Sequence, residues 1–345
     1  MIGSDGRRWT LADRPSWGKG IRVPLNQSLL HSGVRIIGSV PDPTMRTGER
    51  RVAIGTGFLI TVPSTNPAGQ RYGYVLTAHH VIWDQNRVEI QAPDPTTNGE
   101  LHPPLAINDW RQPLDNVDLA LAPVRDASGR IYQAIELEKN VVPPRTVPAL
   151  GASIYYVGIL MPLDRPMARS GTIGAVEQYG IKHSGGYDYP VHLVDCRSYG
   201  GFSGSPCFLD FTFASLTAMD ESPFTENVVR GAVGEMAHIA LLCGMFTQHL
   251  EDREQPVASR YGVGTMLRSQ EIWRALMSDE MKREREDWDR ELAAAEKAHE
   301  DTDQPKLRGA SSVAVDDEFE RFEELTRKLV NTPKSEIDEK RKADQ

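Results

Sequence analysis

The sequence predicts an all-β fold, a barrel or a sandwich, over residues 30 to about 267, and three observations carry that expectation. Short runs rich in Val, Ile, Thr and aromatic residues dominate this stretch, Gly and Pro punctuate them, and the texture changes to a helical pattern only at Ser269. In chain order the expected strands are Val34–Val40, Ala53–Val62, Tyr74–Thr77, Arg87–Gln91 and Leu119–Val124, then Ile154–Gly158, Gly171–Gln178, His192–Cys196, Ile239–Thr247 and Tyr261–Leu267. Val141 to Pro148, with three prolines, falls between the two groups and would join two halves. A chain of 345 residues has room for one large β unit or two ordinary domains, plus an appendage.

The elements after Ser269 are read as helices. Ser269 is the expected N-cap of Gln270–Met277, which turns Ile272, Trp273 and Leu276 inward. From Asp279 the chain becomes rich in Glu, Lys and Arg, with Met281, Trp288, Leu292 and Ala295 as a thin apolar stripe. Residues 302–314, holding Pro305 and Gly309, read as a linker, and Phe319, Phe322, Leu325 and Leu329 mark a second amphipathic piece. The expected division is an N-terminal extension over 1–29, a β domain over 30–278 and a charged helical tail over 279–345. The tail has too little apolar content for a core of its own, so it is either a strut on the body or a docking element for a protein partner.

Charge and cysteine usage narrow the function classes. The net charge is −9. The tail, with 21 acidic and 14 basic residues, holds −7 of it, leaving a nearly neutral body. That distribution offers no basic stripe for a phosphate backbone, which argues against nucleic acid. No run approaches the 18 or so apolar residues of a membrane span, and Met1 to Arg8 is no apolar leader. Cys196, Cys207 and Cys243 are odd in number and lack metal-type spacing, and no metal or cofactor is expected. Sparse cysteine fits a reducing compartment, and the expected location is the cytoplasm. A Cys207–Cys243 pair stays open at this point.

Three segments carry the chemistry. The first runs Gly55-Thr56-Gly57 and then Thr77-Ala78-His79-His80-Val81, the second is Asp118-Leu119-Ala120-Leu121, and the third is Gly200-Gly201-Phe202-Ser203-Gly204-Ser205-Pro206. A serine hydroxyl is a weak nucleophile at neutral pH, so an imidazole must take its proton during attack. A buried carboxylate must hold that imidazole in one tautomer and stabilise its cation. The tetrahedral oxyanion needs preorganised N–H donors, and Gly201 would let its own N–H and that of Ser203 point at one spot. Gly204 would leave the hydroxyl unshielded.

Together these segments resemble the trypsin-like, chymotrypsin-fold serine peptidases, most closely their bacterial, HtrA-like branch. Thr-Ala-His-His-Val resembles the family's strand-end histidine motif, which puts the general base at His80 and makes His79 a structural neighbour. Asp118-Leu-Ala-Leu resembles its aspartate motif, and Gly-Phe-Ser-Gly-Ser-Pro its nucleophile motif around Ser203. The order His, Asp, Ser is that of chymotrypsin, not of subtilisins or α/β-hydrolases. Weaker echoes at Gly158, Ser170 to Ile173, Asp195, Cys243 to Met245 and Tyr261 to Gly264 extend the resemblance over residues 30 to 277.

The resemblance implies two antiparallel six-stranded barrels, one over about 30–140 and the other over about 146–267. It places the site between them, a closing C-terminal helix behind, and a protein or peptide as substrate. It maps the primary pocket to Arg197, Ser198 and Tyr199 on one side and to Gly244, Met245 and Phe246 on the other. Arg197 would either favour acidic side chains or point to solvent, and Met245 with Phe246 would give apolar walls. Leu209–Ala237, longer than a usual hairpin, would be a lid or an exosite. Two departures from the family are visible. Phe202 stands where secreted relatives have the aspartate that pairs with a newly cut N-terminus, and no PDZ-like segment follows residue 277. The expectation is a serine endopeptidase. The alternative is a catalytically silent or partner-activated module of the same fold.

Overall fold

The computed structural model describes residues 27–64, 71–97, 99–125, 130–159, 165–181, 186–196, 201–211, 239–251 and 260–303. The chain divides into two units after Asp289, and both sheets lie in the first.

After a short turn of helix, α1 (Gln27–Leu30), the first half is built from β1 (Gly33–Pro41), β2 (Glu49–Pro63), β3 (Arg71–Thr77), β4 (Val88–Gln91), β5 (Leu105–Ile107), β6 (Ala120–Pro123) and β7 (Ile135–Glu136). Their hydrogen-bonded order is β5-β4-β1-β2-β3-β6, with β7 parallel on β2. Sequence leads one to expect a six-stranded closed barrel here, and the ladder instead makes a seven-stranded sheet in which β5 and β6 are not paired as strands. The ends meet through a two-way backbone bridge, Arg111 N to Leu121 O at 2.8 Å and Leu121 N to Arg111 O at 2.9 Å. Pro113 follows at once and has no N–H to extend that pairing.

The second half comprises β8 (Ser153–Ile159), β9 (Pro166–Gln178), β10 (Val191–Cys196), β11 (Pro206–Phe211), β12 (Ile239–Glu251) and β13 (Arg260–Arg268). It closes in the order β10-β13-β12-β11-β8-β9, the six-stranded barrel expected. Every strand contributes apolar residues to the interior: Ile154 and Tyr156, Ile173, Val194 and Cys196, Cys207 and Leu209, Leu241 and Cys243, and Met266. The three cysteines are unpaired and buried. Cys243 Sγ lies 3.3 Å from the Cys207 carbonyl, so the thiols act as small core hydrophobes rather than as a disulfide.

Two helices follow β13. The helix α4 (Ser269–Leu276) comes after the short α2 (His79–Ile82) and α3 (Leu137–Asn140) of the first half. It begins at Ser269 itself, not after it: Arg268 occupies the N-cap position with extended backbone, and no side chain caps the helix. Arg268 is held instead by Glu177 at 2.9 Å and Glu271 at 2.5 Å. Ile272, Ala275 and Leu276 are buried, and Trp273 Nε1 donates to Val142 O at 3.1 Å. The longer α5 (Asp279–Asp303) begins where the tail was expected, yet its start belongs to the body. Met281 is fully buried, Arg285 donates to Leu276 O at 2.8 Å, and the Trp288 ring packs 4.9 Å from that of Tyr72. The expected linker at 302–314, apart from Thr302 and Asp303, and the amphipathic piece after it lie outside the described residues, as does most of Leu209–Ala237.

Candidate active site

The histidine reaches its place because β3 ends in a turn that is anchored on its apolar side. Ala78 is extended, with ψ at 134°, and α2 starts without a capping side chain. Val81 and Ile82 are buried beneath the turn, which leaves His79 and His80 partly exposed above it. Asp118 lies just before β6 between buried Val117 and Leu119, and is itself only 1% exposed. It meets His80 twice: Oδ2 is 2.7 Å from Nδ1, and Oδ1 accepts the backbone N–H at 2.9 Å. A carboxylate partner requires Nδ1 to carry the proton, so Nε2 is left as the basic nitrogen. Both oxygens of a buried carboxylate are thus committed to one imidazole and its backbone.

The serine arrives on a loop from the other half. Gly201 and Gly204 hold φ of +99° and +87° on either side of Phe202 and Ser203. Phe202 plunges into the second barrel, fully buried, edge-on to Tyr156 at 5.2 Å. Gly158 makes room for it, because a Cβ there would lie 2.6 Å from the Phe202 ring. Thr56 on β2 pins the loop: its Oγ1 donates to Gly201 O at 2.7 Å and its N–H to Ser203 O at 2.9 Å. Thr77, next to the histidine turn, donates to Thr56 O at 2.7 Å, and Gly204 fits against both threonines. Gly55 lies between Val81 and the Ser203 carbonyl. The three segments singled out in the sequence therefore converge.

With the carbonyls of Gly201 and Ser203 turned to Thr56, their N–H groups have no hydrogen-bond partner among the described residues. Two unengaged donors on one loop are what an oxyanion would use. Among the described residues no hydrogen bond joins His80 Nε2 to Ser203 Oγ. Such contacts are often loose before a substrate is bound.

The other expected site residues are placed differently. Met245 and Phe246 are fully buried, and Phe246 stacks on Tyr156 at 5.6 Å and 16°. The Phe246 backbone brackets the serine loop, accepting from Gly204 N and donating to Ser205 O, each at 2.8 Å. Gly244 pairs with Cys207 and Arg268 inside the barrel wall. Arg197, Ser198 and Tyr199 lie outside the described residues. Asp195, eight residues before the serine, is exposed on β10, and with Arg169, Ser170 and Thr172 it lines an open cleft of about 600 Å³. Among the described residues no group of three or more His, Cys, Asp and Glu side chains is arranged to hold a metal.

Several contributors escaped sequence reading. Tyr187 places its hydroxyl 2.5 Å from His79 Nδ1, with the rings edge-on. Burial, and then the Asp118 charge, push the Tyr187 phenol up to about 12, and the same two causes raise that of Tyr189 well above its usual range. Burial lowers the pKa of His79 against the opposing pull of Asp118. Thr56 is foreshadowed by the Gly-Thr-Gly run, but nothing local in the sequence marks Tyr187.

Among solved structures, the chain is similar to the MamO protease domain from Magnetospirillum magneticum in its apo form, with TM-score 0.46, 13% identity, and coverage of 74% of this chain and 100% of that one. It is also similar to a variant of the HtrA-type protease AlgW solved with a decapeptide, with TM-score 0.46, 12% identity, and coverage of 73% and 65%. No curated protein matches the chain. The family model described as the trypsin-like peptidase domain matches residues 55–212, from the glycine run of β2 through the serine loop. His80, Asp118 and Ser203 all fall inside the matched span.

Proposed function

We propose that the protein is a serine endopeptidase in which Ser203 is the nucleophile, His80 the general base and Asp118 the group that orients it. One observation carries the reading: the double contact of buried Asp118 with His80, in a turn packed against the loop that bears Ser203. In the proposed reaction Ser203 Oγ attacks a peptide carbonyl while Nε2 of His80 takes the hydroxyl proton. The oxyanion is held by the N–H groups of Gly201 and Ser203. The imidazolium then returns its proton to the leaving amine, and water repeats the sequence on the acyl-enzyme. The substrate is a protein or peptide.

A fluorophosphonate probe tests the assignment on the purified chain. Stoichiometric labelling that disappears in Ser203→Ala, and falls by orders of magnitude in His80→Ala, is the expected result. Undiminished labelling in Ser203→Ala would refute it. A second reading, a silent or partner-activated module, draws on the lack of a hydrogen bond between His80 and Ser203 among the described residues. It is favoured if the intact chain takes no label at any pH.

A further inference from the structure

We infer that Tyr187, acting through His79, is a positioning residue for the general base, a clip by which the second half of the molecule fixes the histidine turn of the first. The inference rests on the serine-peptidase reading and assigns a further residue to the same site.

The clip is built from a segment that belongs to neither catalytic loop. Residues 186–190 lead into β10 of the second barrel. From this segment the Tyr187 hydroxyl reaches His79 Nδ1 at 2.5 Å, and the Asp188 N–H donates to Asn116 O at 3.2 Å. Asn116 holds φ at +60° two residues before Asp118, a conformation uncommon outside glycine, and the Asp188 bond helps retain it. Adjacent residues of one half thus grip the histidine turn and the aspartate loop of the other. His79 and His80 share a backbone, and the His80 N–H is one of the two bonds to Asp118. Anchoring the first ring therefore limits rotation of the turn that aims the second.

A phenol raised to about 12 keeps its proton and is able to donate it; in the clip His79 Nδ1 accepts that proton, which makes the ring the neutral Nε2–H tautomer. The groups that face His79 are His80 on its own turn, Asp118 from the aspartate loop and Tyr187 from the second half. During acyl transfer His80 becomes a cation. A second cation on the neighbouring ring would oppose that step, and the Tyr187 bond stabilises the uncharged form of His79. Removing the phenol leaves Nδ1 without its donor beside an anionic Asp118, so His79 takes a proton more readily as the pH falls.

Two readouts on the full chain test this. The rate of fluorophosphonate labelling is measured against pH in the wild type, Tyr187→Phe and the double variant Tyr187→Phe with His79→Gln. Tyr187→Phe is expected to slow labelling about fivefold at neutral pH, the size of one net hydrogen bond. Its acid limb should steepen from one proton toward two, and the steepening should vanish in the double variant, which has no titrating ring at position 79. Independently, imidazole nitrogen shifts should assign His79 to the Nε2–H tautomer in the wild type. If the wild type labels and Tyr187→Phe keeps its rate and slope, or if His79 proves to be the Nδ1–H tautomer, the clip is wrong and the peptidase reading stands. If the wild type takes no label, both fail.

Discussion

Gly204 occupies its position for two separate reasons, and each forbids a side chain. Its φ of +87° is a region that L residues rarely enter, and a Cβ there would sit 1.9 Å from the Thr56 carbonyl and 2.4 Å from Thr77 Oγ1. Gly204→Ala is expected to cost at least about 1–3 kcal/mol from backbone strain alone, and to drive the serine loop away from the histidine turn. Urea denaturation reads the first effect and fluorophosphonate labelling the second. Phe202 makes the opposite case. At the position where the resemblance would lead one to expect a charged partner for a new N-terminus, this chain buries a ring among Tyr156, Gly158 and the barrel core. Phe202→Ala should lower stability by about 3–5 kcal/mol, seen as an earlier urea midpoint. At this scale the contact of His80 with Asp118 and the tight loop around Ser203 were legible as candidates, because these residues sit in local patterns that a serine nucleophile's chemistry calls for. Tyr187 was not, since its contact with His79 spans 108 residues and nothing in its own loop points to that partner.

Among the elements, β10 shows how one buried titratable side chain couples a sheet to pH. His192 is 1% exposed on β10, opposite Met266 of β13, and its Nδ1 accepts the Glu177 N–H of β9 at 3.2 Å. Burial, with a smaller push from Arg268, lowers its pKa to about 4 from the usual 6.5. Between those values the unfolded chain binds a proton that the folded chain refuses, so stability falls as the pH drops from 6.5 toward 4. The full shift corresponds to roughly 3 kcal/mol. His192→Asn keeps an acceptor near the Nδ1 position and removes the titration. Its stability profile should be flatter over that window, and an unchanged acid-side slope would show that other groups cause it. Strand reading from sequence succeeded where alternation or β-branched content was sustained, as in β2, β8 and β13. It missed β5 and β7, which have three and two residues and exist only through their neighbours. It also missed β11, because Pro206 to Phe211 directly continues the serine motif and lacks a turn signal of its own. The start of β9 was missed as well, since Pro166 to Ser170 holds no β-branched or aromatic residue.

For the whole molecule, the sharpest difference from the sequence reading is where the body ends. A jump in charge density at Asp279 suggested the boundary, yet the first compact unit runs through Asp289. Charge density misleads here because the residues that face the body are spread at helical spacing among solvated ones. Met281 is fully buried, Glu284 pairs with Arg111 at 2.6 Å, and Arg285 binds the last carbonyl of α4 at 2.8 Å. Trp288 lies between Tyr72 and the Arg125 guanidinium, 4.7 Å from its centroid, and Asp289 accepts from Ser64 at 2.9 Å and from Tyr72. These contacts reach β3 and the segments after β2, β5 and β6, so the start of α5 ties together parts of the first sheet that its open ladder leaves apart. A chain ending at Asp289 retains all of them, while one ending at Ser278 loses all of them. Deleting the buried Met281 side chain alone costs about 2–5 kcal/mol by the usual range for core methionines. At about 2–4 °C per kcal/mol for a body of this size, the shorter chain should melt roughly 10 °C lower. The chain ending at Asp289 should melt within a few degrees of the full-length protein, and a comparable loss there would mean that the stabilising part of the helix extends beyond Asp289.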